Sequence, residues 1–163
     1  MKKVYFISGL GADKRAFSFL DLSFCEPIFI DWIKPVDNES LYQYAMRLKE
    51  QINEPSPIIV GVSFGGMLAT EIAKSDASAK VIIISSNKIK KEFPKILLIG
   101  KYIPLYKWIP STILKKAGAF RVRFFGPKGE NQKKIFNQIL KDTDTKFTKW
   151  AIHSILHWGN KIE

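Results

Sequence analysis

The residues best placed to do chemistry in this chain are Gly61-Val62-Ser63-Phe64-Gly65. A serine with glycine two positions before and after it suits a sharp strand-to-helix turn, where a side chain at either glycine would keep the two elements apart. Such a turn lifts the serine hydroxyl clear of the sheet. Phe64 then opens the helix, so its N–H lacks a helical acceptor and points, with the helix dipole, toward the site of attack. The turn thus offers a nucleophile and one donor to a developing oxyanion. The competing reading is a glycine-rich turn whose serine only caps the helix.

The flanks fit a strand and a helix. Ile58, Ile59, Val60 and Val62 form a short apolar run, and Met67, Leu68, Ala69, Ile72 and Ala73 follow at helical spacing. Upstream, Lys3 to Ser8 reads as a buried strand, and Gly9 to Asp13 as a loop into a short helix from Lys14 to Leu20, with Asp13 as its cap. Pro27 to Trp32 is a second strand. Glu39 to Ile52 is an amphipathic helix opened by Asp37 or Asn38, and Lys80 to Ser86 is a fourth strand. This alternation predicts a parallel sheet with right-handed crossovers and a ligand site at the strands' C-terminal ends.

Two readings compete for the first loop. Gly9-Leu10-Gly11, with Asp31 20 residues beyond Gly11, resembles a dinucleotide-binding fingerprint, but Lys14 occupies its third glycine position. The preferred reading makes the loop the second half of an oxyanion hole, with the Leu10 and Phe64 amides donating to one oxygen.

With these residues in view, residues 3 to 87 resemble a small bacterial α/β-hydrolase: FISGLGADKRAF, then IDW, then PIIVGVSFGG, then VIIISS occur in that order. The resemblance implies an α/β fold, an α/β-hydrolase-like parallel sheet of about four strands with a C-terminal helical cap. It also implies a serine hydrolase whose nucleophile is Ser63, whose oxyanion donors are Leu10 and Phe64, and whose elbow glycines are Gly61 and Gly65. Ser8 departs from the pattern, standing where many members carry histidine. The implied substrate is a small or lipophilic carboxylic ester, with no cofactor and no metal. The triad of such proteins runs Ser, Asp or Glu, His, and its acid and base sit in loops after two further strands. Those strands are not recognisable here, so the chain is expected to lack that part, which leaves the activity of these 163 residues open. A noncatalytic binding module is the alternative from another class.

The histidine count supports that expectation. Only His153 and His157 occur, both within KFTKWAIHSILHW, where Phe147, Trp150, Ala151, Ser154, Ile155 and Trp158 mark one face of a helix. Asp142 or Asp144 with either histidine would satisfy the chain order, but a triad needs its base within hydrogen-bond reach of the nucleophile. The expected alternative is a cap helix with one histidine partly buried and one exposed. HSILH lacks the glutamate of the zinc-binding HExxH pattern.

The expected organisation is a core over 1–87, a helical cap over 88–160 and a tail over 161–163. Within the cap, Phe93 to Ile109 mixes aromatic and apolar residues with lysines and prolines, as a lid over a cleft would. Asn131 to Leu140 reads as another amphipathic helix, after a Gly126-Pro127 and Gly129 turn. Without further strands, Val81 to Ile84 would be an uncovered β-branched edge, which argues for a cap folded over it or for an incomplete chain.

Composition narrows the remaining classes. The 163 residues are 46% hydrophobic and 25% charged, as in ordinary globular domains, and the lone Cys25 excludes an internal disulfide. The net charge of +11 is lopsided: residues 1–87 carry 9 basic and 10 acidic side chains, and 88–163 carry 17 and 5. Arg121 and Arg123 are the only arginines in the basic part, so a solvated lysine face is expected, without nucleic-acid binding. No apolar run reaches the roughly 20 residues of a membrane span, and a cytoplasmic location is expected.

Overall fold

The computed structural model describes residues 1–93, 102, 106, 108–110, 112 and 129–159. Most of the expected lid, the Gly126-Pro127 turn and the 161–163 tail lie outside the described residues.

Four strands form one parallel sheet: β1 (Lys3–Ile7), β2 (Glu26–Phe29), β3 (Ile58–Val62) and β4 (Lys80–Ile84), in the order β2-β1-β3-β4. The order reverses at β1, whose neighbours β2 and β3 lead the chain in opposite directions. The C-terminal ends of β1 and β3 are adjacent there, with Ile7 paired to Gly61. This switch in strand order opens the crevice in which open α/β sheets bind ligands.

Alternation along the strands divides the core. Tyr5, Ile7 and Ile59 face α1 (Leu41–Lys49) and α2 (Phe64–Ser75), while Val4, Phe6 and Val60 face the other way. Leu41, Tyr44, Ala45 and Leu48 carry α1 onto the first face, as their spacing requires. The second face, to which Phe29 of β2 also belongs, is covered by Phe17, Leu22 and Cys25. Beside them an apolar groove of about 590 Å³ remains, lined by Phe6, Val62, Ile82 and Ile84.

Local chemistry moves several element ends from their expected places. Helix α1 begins at Leu41, capped by Ser40 and not by Asp37 or Asn38. Ser40 Oγ accepts the Gln43 N–H while the Gln43 side chain accepts the Ser40 N–H, a reciprocal capping box. Asn38 instead takes a left-handed φ of 59°, and the helix stops at Lys49. The helix expected over 14–20 is a single 3-10 turn, Lys14–Phe17, because only Phe17 finds a core and Phe19 and Leu20 stay exposed. Asp13 does cap it, accepting the Arg15 N–H at 2.9 Å.

Two later helices are described, α3 (Glu130–Asp142) and α4 (Thr145–His157). Helix α4 and its C-cap pack in the main core: Phe147, Ala151 and the capping Trp158 share one cluster with α1, α2 and the sheet. Phe147 and Trp150 form an aromatic group with Trp32, Tyr44 and Phe64, ring centres 4.5–6.4 Å apart. Trp150 Nε1–H donates to the Glu39 carbonyl, and Trp158 Nε1–H to the buried Glu71 carboxylate at 2.6 Å. Among the described residues, no helix is long and apolar enough to cross a membrane.

Candidate active site

Ser63 stands between β3 and α2 with φ 52° and ψ −117°, a backbone state that L residues avoid and that surrounding structure must impose. Two glycines make this turn sterically possible. A Cβ on Gly61 would lie 2.5 Å from the Gly65 carbonyl oxygen, and a Cβ on Gly65 would collide with the carbonyls of Ile7 and Ser8. The side chain of Ser63 is exposed, and its hydroxyl has no hydrogen-bond partner among the described residues. It therefore does not cap α2, whose N-terminus carries no side-chain cap bond.

The first loop lies against this serine. A Cβ on Gly9 would sit 3.5 Å from Ser63 Cβ and 3.5 Å from the Val62 carbonyl oxygen, so the two turns are in contact. Residues 9–12 form a β-turn closed by the Ala12 N–H on the Gly9 carbonyl at 3.0 Å, with Gly11 in its third position at φ 74°. Glycine is needed there for the left-handed φ. Ser8, buried, donates its hydroxyl to the Ala12 carbonyl at 2.9 Å, and Trp32 Nε1–H donates to the same oxygen at 2.6 Å. Among the described residues, the Leu10 and Phe64 N–H groups have no acceptor.

Helix α3 ends on this loop. The Thr143 hydroxyl shares its proton between the Ile139 carbonyl at 2.9 Å and the Gly11 carbonyl at 3.1 Å, and the Arg15 guanidinium bridges Asp13 and Asp142 at 2.6 and 2.8 Å. The Arg15 hydrogen bonds hold the Asp13 carboxyl below the usual carboxylate range. Sequence reasoning did not single out Ser8, Arg15 or Thr143 as partners of the loop. The contacts of α3 span 127 and 132 positions, which no local spacing announces, whereas Ser8 reaches only four positions along, to Ala12.

The histidines are engaged elsewhere. His153 Nδ1 pairs with the Tyr106 hydroxyl, and His157 Nδ1 with the His153 carbonyl at 2.9 Å. His153 is half-buried and His157 exposed. Asp142 is bound to Arg15, and Asp144 caps α4 through the Lys146 N–H. The structure thus brings Gly9, Leu10, Ser63 and Phe64 into one region. It brings no histidine into hydrogen-bond contact with Ser63 among the described residues. A cavity of about 730 Å³ lined by Glu71, Tyr106, His153 and Trp158 does not include Ser63. Among the described residues, no group of three or more His, Cys, Asp or Glu side chains is arranged to hold a metal.

The dinucleotide reading of the first loop loses its physical basis. The loop runs into one 3-10 turn and offers no helix N-terminus to a pyrophosphate. Asp31 is the terminal residue of neither β2 nor a helix, and its backbone is held by the Gln51 side chain through both N–H and carbonyl.

No protein-family model matches the chain by sequence, and no curated protein does. Solved structures do match. The bottromycin epimerase BotH is similar at 16% identity and a TM-score of 0.69, over 96% of this chain and 65% of that one. The epoxide hydrolase CorEH is similar at 15% identity and a TM-score of 0.68, over 96% and 67%. A lipase-esterase related protein from Clostridium acetobutylicum is similar at 16% identity and a TM-score of 0.63, over 94% and 66%. The chain thus spans about 65% of the length of the first of these structures. An epimerase and hydrolases share this architecture, so the likeness fixes the fold and leaves the reaction to the site. The β2-β1-β3-β4 parallel sheet, the strained serine turn after β3 and these neighbours together identify the α/β-hydrolase fold.

Proposed function

We propose that this chain carries the nucleophile and oxyanion donors of a serine hydrolase acting on a small or lipophilic carboxylic ester. The observation that carries the reading is Ser63 itself: exposed, without a hydrogen-bond partner among the described residues, and held at φ 52° beside the Gly9 loop. A turn of that strain, built on two glycines that tolerate no Cβ, needs a reason, and presenting a hydroxyl is one. Ser63 Oγ would attack the ester carbonyl carbon as its proton passes to a base. The carbonyl oxygen would become an oxyanion facing the Leu10 and Phe64 N–H groups. Collapse would expel the alcohol and leave an acyl group on Ser63, which water would then remove. Nothing in these steps requires a cofactor.

With His153 on Tyr106 and His157 on a backbone carbonyl, neither is placed to take the Ser63 proton. That observation favours a second reading, a binding module that keeps the turn and cleft without turnover. Fluorophosphonate labelling followed by intact mass, with Ser63→Ala as control, separates the two. Single-site labelling that Ser63→Ala abolishes supports the acyl-enzyme reading. An unlabelled, folded protein overturns it and leaves the binding module. If labelling occurs, it should survive replacement of both His153 and His157 by Ala, because neither touches Ser63.

A further inference from the structure

The end of β4 holds the Ser63 residue at two points. The Ser63 N–H donates to the Ile84 carbonyl at 2.9 Å, and Ser86 donates its hydroxyl to the Ser63 carbonyl at 2.6 Å. Between them, Ser85 takes a left-handed φ of 49°, the turn by which the chain leaves β4 before Ser86. Room for Ser86 comes from Gly66, where a Cβ would lie 2.5 Å from both Cβ and Oγ of Ser86. The second glycine of the Gly65-Gly66 pair thus makes room first for Ser86, and also for the Gly61 carbonyl, 3.1 Å from where its Cβ would lie.

The bonded oxygen matters because of what it shares a plane with. The Ser63 carbonyl and the Phe64 N–H belong to one peptide unit, and in a trans peptide they point in opposite directions. Whatever fixes the oxygen therefore aims the N–H. The Gly66 and Met67 N–H groups also reach this oxygen, at 2.9 and 3.4 Å, but they move with the helix. Ser86 ties it to the sheet. A hydrogen bond on the carbonyl also polarises the peptide and strengthens its N–H as a donor.

We infer that Ser86 is a positioning residue: its hydroxyl orients the Ser63–Phe64 peptide so that the Phe64 N–H is held as an oxyanion donor. The donor role rests on the hydrolase reading given above, whereas the peptide's orientation does not. The test is Ser86→Ala in the full chain, labelled with ¹³C and ¹⁵N. Loss of the bond should move the Ser63 carbonyl carbon resonance upfield and displace the Phe64 amide resonances, leaving the distant amides of α1 in place. Fluorophosphonate labelling of Ser63 should slow about tenfold. If p-nitrophenyl butyrate is turned over, kcat should fall by a similar factor with KM unchanged. Gly66→Ala, which displaces Ser86, should reproduce the same resonance shifts.

Unmoved Ser63 and Phe64 resonances in folded Ser86→Ala would overturn the inference whatever the rates do. Shifts spread across the whole of α2 and β4 would also overturn it, since they would mark a general packing role. A wild-type chain inert to the fluorophosphonate would defeat the hydrolase reading instead, and the resonances would still decide what Ser86 orients.

Discussion

Ser63 carries strain that its own side chain does nothing to relieve, because its hydroxyl has no partner among the described residues. A non-glycine residue at such φ and ψ costs about 1–3 kcal/mol. Removing the Cβ should release part of that, so Ser63→Gly should be more stable than Ser63→Ala by about 1 kcal/mol, less the extra chain entropy glycine loses on folding. Gly65→Ala should do the opposite and destabilise by about 3 kcal/mol, since its Cβ would meet the Ile7 and Ser8 carbonyls and the backbone cannot give way cheaply. Urea denaturation of the three variants measures both effects. A Ser63→Gly variant less stable than Ser63→Ala by the full entropic cost of glycine, about 0.5–1 kcal/mol, would mean that the turn is not strained in solution. These predictions need no activity, so they test the geometry independently of the chemistry.

At the scale of elements, what the sequence disclosed and what it withheld divide by range. The strands and the serine turn were legible because β-branched runs and glycine spacing act over a few residues. The start of α1 was not, because Asp37, Asn38 and Ser40 all suit a cap and only the Ser40–Gln43 reciprocity decides. The amphipathic face of α4 was legible, yet its place in the main core was not, since Phe147 meets Trp32 and Tyr44 across more than a hundred positions. The clasp of α3 on the first loop was equally hidden, and the Asp13–Arg15 pair beside it makes that loop sensitive to acid. Asp13 has a folded pKa lowered chiefly by its hydrogen bond from Arg15. Its contribution is therefore fully present above the ordinary carboxylate pKa, and is lost as pH falls through the lowered value. Stability should be insensitive to this pair from pH 7 to about 5 and decline below about 4. Asp13→Asn should flatten that part of the profile. The side chains are half-exposed, so salt should weaken the effect. A profile unchanged by Asp13→Asn would show that the Asp13–Arg15 pair contributes nothing.

For the whole molecule, two features oppose each other. The net charge of +11 sits mostly in residues 88–163 and drives copies apart. Strand β4, meanwhile, is the outer strand of the described sheet, and Ile82 and Ile84 are 54% and 48% exposed beside an apolar groove. An edge of β-branched residues with unpaired backbone groups is a template for pairing with another chain. At low ionic strength the repulsion should keep the protein dispersed. At about 0.5 M salt the screening length falls below 5 Å, and the exposed edge should then drive association that rises with protein concentration. Replacing both Ile82 and Ile84 by Lys should suppress that association at a modest cost in stability, because about half of each side chain is already exposed and a lysine stem can cover the same apolar surface. Static light scattering across a salt series reads the outcome. If the double variant associates as readily as the wild type, the adhesive surface lies elsewhere, and the exposed side chains of Phe24 and Trp108 become the next to change.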